Sequence, residues 1–418
     1  MGLIFALTLA ACGAPTGGGA PPLATSTPTA KPSASVTATP VPCTSWRIVS
    51  SPNSTTYPMS VLSSVSALSS TSAWAVGVTY AVGDTIGPMN SLIVQWDGSA
   101  WHIVASASTG QGALNSVAAL SPHDVWAVGG RLNYGVGAGA LTMHWDGTTW
   151  SVVPIVQPAD TTSVNLNGVA ATTSHDVWAV GQQQADPEQL TQPLVEHWDG
   201  ASWHLVSSLP LPQSAAPTRG GFLNAVTRIP GTNQLWAVGG WSQWVTTAPP
   251  QLLIERWDGT TWQIVTSPPA PGGAMGGSWY GVVALSATNA WAVGRYALKN
   301  PMDNHPLIGH WDGTRWQIVV ASADVYGELD SVAAAGANDV RAAGSLLTGS
   351  GASSGNGRRV PLIERWDGTA WQIVTSPEPS GALSGSLSIA TDGSGNYWAV
   401  GSSLTAANVY QTLTLHCP

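Results

Sequence analysis

From about residue 46 onward, short apolar runs alternate with turn residues, and the arrangement recurs with a period of about 50 to 58 residues. One unit shows the parts. Leu114 to Leu120 is followed by a Ser121-Pro122-His123-Asp124 turn, Val125 to Val128, a variable loop, Leu141 to Trp145, an Asp146-Gly147 turn and Trp150 to Val153. Runs this short, bounded by turn residues, predict four strands and no helix. Asp-Gly between two apolar runs is a hairpin signal, because the glycine takes the positive φ that the turn demands.

Three markers follow the repeat. Trp-Ala-Val-Gly begins at Trp74, Trp126, Trp178, Trp236, Trp291 and Trp398, with an altered copy, Arg341-Ala342-Ala343-Gly344, between the last two. Trp-Asp-Gly begins at Trp96, Trp145, Trp198, Trp257, Trp311 and Trp366. A Trp followed closely by apolar residues stands at Trp46, Trp101, Trp150, Trp203, Trp262, Trp316 and Trp371. Seven units of four antiparallel strands describe an all-β chain folded as a seven-bladed β-propeller. First strands rich in small residues, such as Ser116-Val117-Ala118-Ala119, suit the crowded axis, and the indoles belong farther out.

The Asp-Gly-x-x-Trp hairpin resembles the Asp-box of sialidase-like propellers, which occupies the same third-to-fourth-strand turn; here Asp and Gly are adjacent and the leading Ser is absent. The longer pattern, Trp-Ala-Val-Gly through Trp-Asp-Gly-Thr-x-Trp, is similar to tandem repeats of bacterial surface propellers. That resemblance spans residues 46 to 417 and implies a fold, with no activity attached.

Long connections follow second and fourth strands, and in an antiparallel blade both classes emerge on one face, where binding residues are expected. Trp241 and Trp244 lie outside the repeat pattern there, as do Trp279 and Tyr280 near the start of the fifth first strand. Such aromatics would stack on a sugar or grip a peptide, or simply pack over the ring's mouth. A polar residue recurs at the second position of the first strand: Ser63, Asn115, Asn167, Asn224 and Asp330, with Tyr280 in the fifth unit. These are expected to ring one mouth of the central channel and to hold either ordered water and strand-end hydrogen bonds or a ligand.

Signatures of catalysis are weak. Thr227-Arg228-Ile229-Pro230 resembles the arginine motif of sialidases but falls on the opposite, short-turn face, and the other arginines are spread over different blades, Arg256 and Arg365 merely sharing a slot. His144, His197, His310 and His416 share another slot on separate blades, so they are too far apart for one metal. Glu196, Glu255 and Glu364 are repeat-equivalent as well, which suggests pairing with a neighbouring blade. Asp392-Gly393-Ser394-Gly395-Asn396 reads as a turn, since a calcium loop needs a further downstream carboxylate.

Composition narrows the setting. Only 13 Lys+Arg and 22 Asp+Glu occur among 418 residues, for a net charge of −9. Nucleic acid, which demands a basic surface, is a poor partner. Leu3 to Ala11 is apolar and of signal-peptide length, and it ends in Leu9-Ala10-Ala11-Cys12, which resembles the bacterial lipobox, whose cysteine is acylated. Residues 1–12 are therefore expected to be a signal peptide. Residues 13–42, mostly Ala, Pro, Thr, Ser and Gly, cannot bury enough apolar area to fold and are expected to be a tether. Residues 43–417 form the propeller.

The chain thus reads as a non-enzymatic, monomeric lipoprotein of the bacterial envelope. Its lipid is its sole membrane contact, it needs no cofactor, and it recognises an extracellular carbohydrate or protein through the long-loop face. A glycan hydrolase or lyase at the central mouth, and an envelope assembly scaffold, are the alternatives.

Counting the markers fixes how the ring closes. The last unit stops after its third strand, Gln411 to His416, with Cys417 in the Trp slot of Trp-Asp-Gly, whereas Trp46 opens a fourth strand with no third strand before it. The N-terminal strand should therefore complete the last blade. Cys43, three residues before Trp46, would then meet Cys417. With Cys12 lipidated, the remaining two cysteines form a disulfide, as an oxidising compartment favours. Mass spectrometry of a non-reduced digest should yield one cross-linked peptide holding Cys43 and Cys417; two unlinked peptides would remove this closure.

Overall fold

Each unit is shaped by its turns. In the Asp146-Gly147 hairpin, Gly147 takes φ 96°, and the Asp146 carboxylate accepts hydrogen bonds from the Thr148 hydroxyl (2.7 Å) and the N–H groups of Thr148 and Thr149 (both 2.8 Å). The Thr148 hydroxyl and these N–H groups hold the carboxyl down at about 2. The Asp258 and Asp367 turns repeat the device.

The computed structural model describes residue 43 and residues 45–418, except 82–88, 107–111, 132–138, 186–190, 207–218, 244–249, 320, 322–324 and 380–381. They form seven four-stranded antiparallel sheets, the blades of a propeller. Blade 1 comprises Met59–Ser69, Ser72–Tyr80, Met89–Trp96 and Trp101–Ile103, and blades 2 to 6 repeat it from first strands Ala113–Ser121, Ser163–Thr173, Arg219–Arg228, Gly276–Ser286 and Gly327–Gly336. Cys12 and the expected tether lie outside the described residues.

Blade 7 confirms the closure. Ala382–Thr391, Tyr397–Leu404 and Tyr410–Cys417 are completed by Arg47–Val49, with Arg47 opposite His416 and Val49 opposite Thr414. A Cys43–Cys417 disulfide joins the ends, with Cα atoms 5.6 Å apart at a sequence separation of 374. Cross-linking so long a loop contributes roughly 5 kcal/mol in the chain-entropy picture.

The core lies between blades. Every major apolar cluster joins two adjacent sheets, and each second-strand Trp reaches into the next blade. Trp126 of blade 2 meets Trp198 and Trp203 of blade 3, with centroids 5.1 and 5.5 Å apart, and Trp398 of blade 7 meets Trp96 and Trp101 of blade 1 at 4.8 and 5.0 Å. Such tilted and edge-on contacts contribute about 0.5–1.5 kcal/mol each beyond area burial. Between blades 6 and 7 the slot holds Arg341, fully buried, with its guanidinium 4.3 Å from the Tyr397 ring and bonded to Cys43. The altered repeat copy is therefore the counterpart of the cysteine in the Trp-Asp-Gly slot: both changes meet at the seam.

Near the axis the sheets touch. Ser64 and Ser116 hydroxyls accept N–H groups of the next blade, from Val117 and Val169 (both 3.2 Å). In six blades the first strand bulges, with the register shifting between Leu114 and Ser116 and at the equivalent positions. The glycine of Trp-Ala-Val-Gly faces this bulge so closely that a Cβ at Gly77 would lie 1.9 Å from the Val61 carbonyl oxygen. Gly344, kept in the altered copy, has the same constraint at 2.1 Å.

The expected pairing of the repeat-equivalent glutamates is not found for Glu196 and Glu255, which are fully buried with no protein hydrogen-bond partner. Glu196 faces the same way as its cross-strand neighbour Ala179, toward the apolar seam that includes Trp126. Burial raises Glu196 to about 8 and Glu255 to about 7 from an ordinary 4.5. A carboxyl raised in the folded state stabilises the fold at acid pH. That contribution is lost as pH climbs from the unfolded value to the folded one. His416, lowered to about 4 by burial and the Arg47 charge, acts only below its ordinary 6.5. Thermal stability should therefore fall above pH 6.5, by up to about 1.4 kcal/mol per pH unit for each carboxyl, to near pH 7 for Glu255 and near pH 8 for Glu196. Replacing both with glutamine should reduce that slope in a calorimetric pH series, leaving the share of Asp330, whose buried carboxyl is raised as well; an unchanged slope would contradict the assignment.

Candidate functional site

The extra residue of each first-strand bulge is the polar residue singled out by the repeat: Ser63, Asn115, Asn167, Asn224, Tyr280 and Asp330. A bulge re-aims its side chain, and all six line the central channel. Their first role is a clasp between blades. The Nδ2 groups of Asn115, Asn167 and Asn224 donate to the next blade's backbone carbonyls at Leu166 (2.8 Å), Leu223 (2.9 Å) and Trp279 (2.7 Å), and Asp330 accepts the Leu387 N–H (3.1 Å). The strand-end hydrogen bonds expected of the ring are thus present. Of the two ends of the amide only the NH2 can donate, so Oδ1 remains as an acceptor, and that of Asn167 already accepts from Asn165 Nδ2 (2.6 Å).

The channel widens to a cavity of about 310 Å³ lined by Tyr280, Glu328, Asp330, Asn167, Asn224 and Ser63, among others. Around it the repeat breaks down. Glu328 stands where other blades have Val61, Ala113, Asn165, Phe222 and Ser278, and Arg295 stands where they have Val78, Gly130, Gln182, Gly240, Ser345 and Ser402. Arg295 Nη1 meets Glu328 Oε2 at 3.0 Å, and Arg359 Nη1 meets Glu328 Oε1 at 2.7 Å and Ser345 Oγ at 2.5 Å. The Arg295 guanidinium also lies 5.5 Å from the Tyr280 ring centre. Burial and the Glu328 charge push the Asp330 carboxyl well up, and burial does the same to the Tyr280 hydroxyl.

This corrects the expectation that the arginines are scattered: Arg295 of blade 5 and Arg359 of blade 6 converge on one carboxylate. Glu328, Arg295 and Arg359 escaped notice because only the markers of each unit were compared. Comparing the residues beside the markers, slot by slot, exposes the first two.

The aromatic candidates part company. Trp279 is fully buried. Every other blade has leucine in its slot, and room for the indole comes from Gly309, where a Cβ would lie 2.8 Å from the Trp279 ring. Of the two uses left open for it, burial rules out stacking on a ligand and leaves packing, while its neighbour Tyr280 faces the channel. Trp241 is half-buried and lines a cleft of about 400 Å³ with Leu252, Ile264, Pro268 and Pro269. Trp244 lies outside the described residues. The slot-sharing histidines lie against the second-strand indoles of their own blades, for example His144 on Trp126 at 4.4 Å and His416 on Trp398 at 4.2 Å.

No protein-family model matches the chain, and no curated protein matches it. Among solved structures it is similar to YCF48 bound to D1 peptide, with 14% identity over 92% of this chain and 99% of that one and a TM-score of 0.52. It is also similar to a protein of unknown function from Dyadobacter fermentans DSM 18053 (10% identity, 90% and 98% covered, TM-score 0.48). A third is the six-bladed fucose-recognising lectin of the fungus Aleuria aurantia (12% identity, 76% and 97% covered, TM-score 0.43). At these identities the likeness is one of fold. The class is a seven-bladed β-propeller whose channel mouth carries a charged cluster.

The Trp279 and Gly309 exchange is testable by urea unfolding. Trp279→Leu alone should cost on the order of 2–4 kcal/mol through the cavity it leaves. Adding Gly309→Met, to copy Leu114 and Met143 of blade 2, should recover most of that loss; no recovery would show that the two positions are independent.

Proposed function

We propose that the protein is a non-enzymatic binding lipoprotein of the bacterial envelope. Anchored through Cys12 and its tether, it recognises an extracellular protein or carbohydrate at the channel mouth between blades 5 and 6. One observation carries this reading. In a chain with few charges, residues that depart from the repeat gather at one cavity: Tyr280 and Glu328 line it, and Arg295 and Arg359 converge on Glu328. The departures at Arg341 and Trp279 are explained by the seam and by packing, whereas no packing role accounts for this charged group, which points to a task beyond folding. The cavity's size, at the small end of ligand pockets, suits one side chain or sugar unit, with the Trp241 cleft as a further contact. A similar fold solved with a bound peptide is consistent with this use.

A glycan hydrolase at the same mouth is the second reading, and Asp330 is what favours it, since a carboxyl pushed up toward its protonated form suits a general acid. Glu328, gripped by two guanidiniums, is poorly placed as its base, so binding stands first.

The test uses the Cys12→Ser protein on peptide and glycan arrays. Binding is expected, and Tyr280→Ala combined with Arg359→Ala should weaken it at least about tenfold, as loss of an anchoring pair does, with circular dichroism unchanged. Released product would favour the enzyme, silence on both arrays the scaffold, and undiminished binding by the double variant a site elsewhere.

A further inference from the structure

Six of the gaps between blades hold a tryptophan, and the seventh holds Arg341. Its Nη1 points at Cys43 Sγ (3.0 Å) and Cys417 Sγ (3.8 Å), and its Nη2 donates to the Cys43 carbonyl (2.9 Å). A disulfide sulfur is a weak acceptor, whereas a thiolate is an anion that a guanidinium binds strongly. Burying a cation beside a neutral bond is costly, and filling the gap needs no charge, as the six tryptophans show. The surroundings lean the same way. Asp339 is shared between Arg341 Nε (3.4 Å) and Arg365 Nε (2.7 Å). Asp339 is thus divided between two guanidiniums and only partly offsets Arg341. The rings of Tyr397 and Trp46 lie 4.3 and 5.9 Å from the guanidinium.

We propose that Arg341 drives the covalent closing of the ring by stabilising the thiolates of Cys417 and Cys43 as they exchange with an external disulfide. Arg341 and Cys417 lie on neighbouring blades and can meet before the N-terminal strand docks. Cys417 gives its proton to water, and its thiolate attacks one sulfur of the external disulfide R–S–S–R. Cys417–S–S–R forms and RS⁻ leaves. Docking of Arg47–Val49 brings Cys43 to the guanidinium; it too gives its proton to water, and its thiolate attacks the Cys417 sulfur, forming the Cys43–Cys417 bond and expelling the second RS⁻, both RS⁻ then taking up protons from water. Two protein thiols are oxidised, and one external disulfide is reduced to two thiols. The co-reactant is a thiol–disulfide carrier, for which oxidised glutathione serves as the probe.

The full chain carrying Cys12→Ser is reduced, freed of reductant and mixed with oxidised glutathione between pH 5.5 and 9. Closure is counted by alkylation and mass spectrometry. The Arg341 protein should reach half its maximal rate well below the value of about 8.5 typical of a free thiol. Arg341→Trp, which installs the residue of the other gaps, should close about tenfold more slowly at pH 6.5 and follow the ordinary thiol profile. Arg341→Lys, which keeps the charge, should retain most of the rate. Equal rates and profiles for Arg341→Trp and the parent would overturn the proposal. Should Arg341→Trp not fold when reduced, the parent alone decides, by the pH dependence of Cys417 alkylation in native buffer and in guanidinium chloride. A lower midpoint in the native form supports the proposal, and an equal or higher one overturns it.

Discussion

Sheets that radiate from an axis leave wedge-shaped gaps, and in this protein an indole from one blade fills the gap by lodging against two indoles of the next. An isolated four-stranded sheet could not bury both of its faces. Trp126, Trp203, Trp236 and Trp291 are almost completely buried only because a neighbouring blade covers them. Stability therefore belongs to the interfaces, and each blade depends on the one beside it. A chain built this way has a single weak place, the seam where its ends meet. There the protein replaces both the indole and the covalent hairpin turn: Arg341 takes the gap, and the Cys43–Cys417 bond takes the turn.

Much of this was legible in the sequence because repetition turns one chain into seven comparable copies. The strand count, the hairpin glycines, the shared last blade and the cysteine pairing all followed from marker positions. The ring of polar residues was legible for the same reason, although its cause, a bulge opposite a glycine that admits no Cβ, is visible only in the register. Packing between copies was not legible. Trp279 departs from the pattern, and only the structure shows that Gly309, thirty residues on, makes room for it. Glu196 and Glu255 invited partners that folding did not supply. The altered copy at Arg341 acquired a meaning once its spatial neighbour proved to be the seam.

The candidate site follows the same logic in reverse. Asn115, Asn167 and Asn224 serve the ring by clasping adjacent blades, which explains their recurrence. Tyr280, Glu328, Arg295 and Arg359 recur nowhere and meet at one mouth of the channel. Glu328 is held from both sides by the two guanidiniums, so the cluster is preorganised, with little further ordering cost when a ligand arrives.

Hydrogen exchange on a Trp126→Ala variant bears most directly on the claim that the core lies between the blades. The account predicts that strand amides of blade 2 and blade 3 lose protection together, since the deleted indole serves both. Loss confined to blade 2, with blade 3 as protected as in the parent, would contradict it.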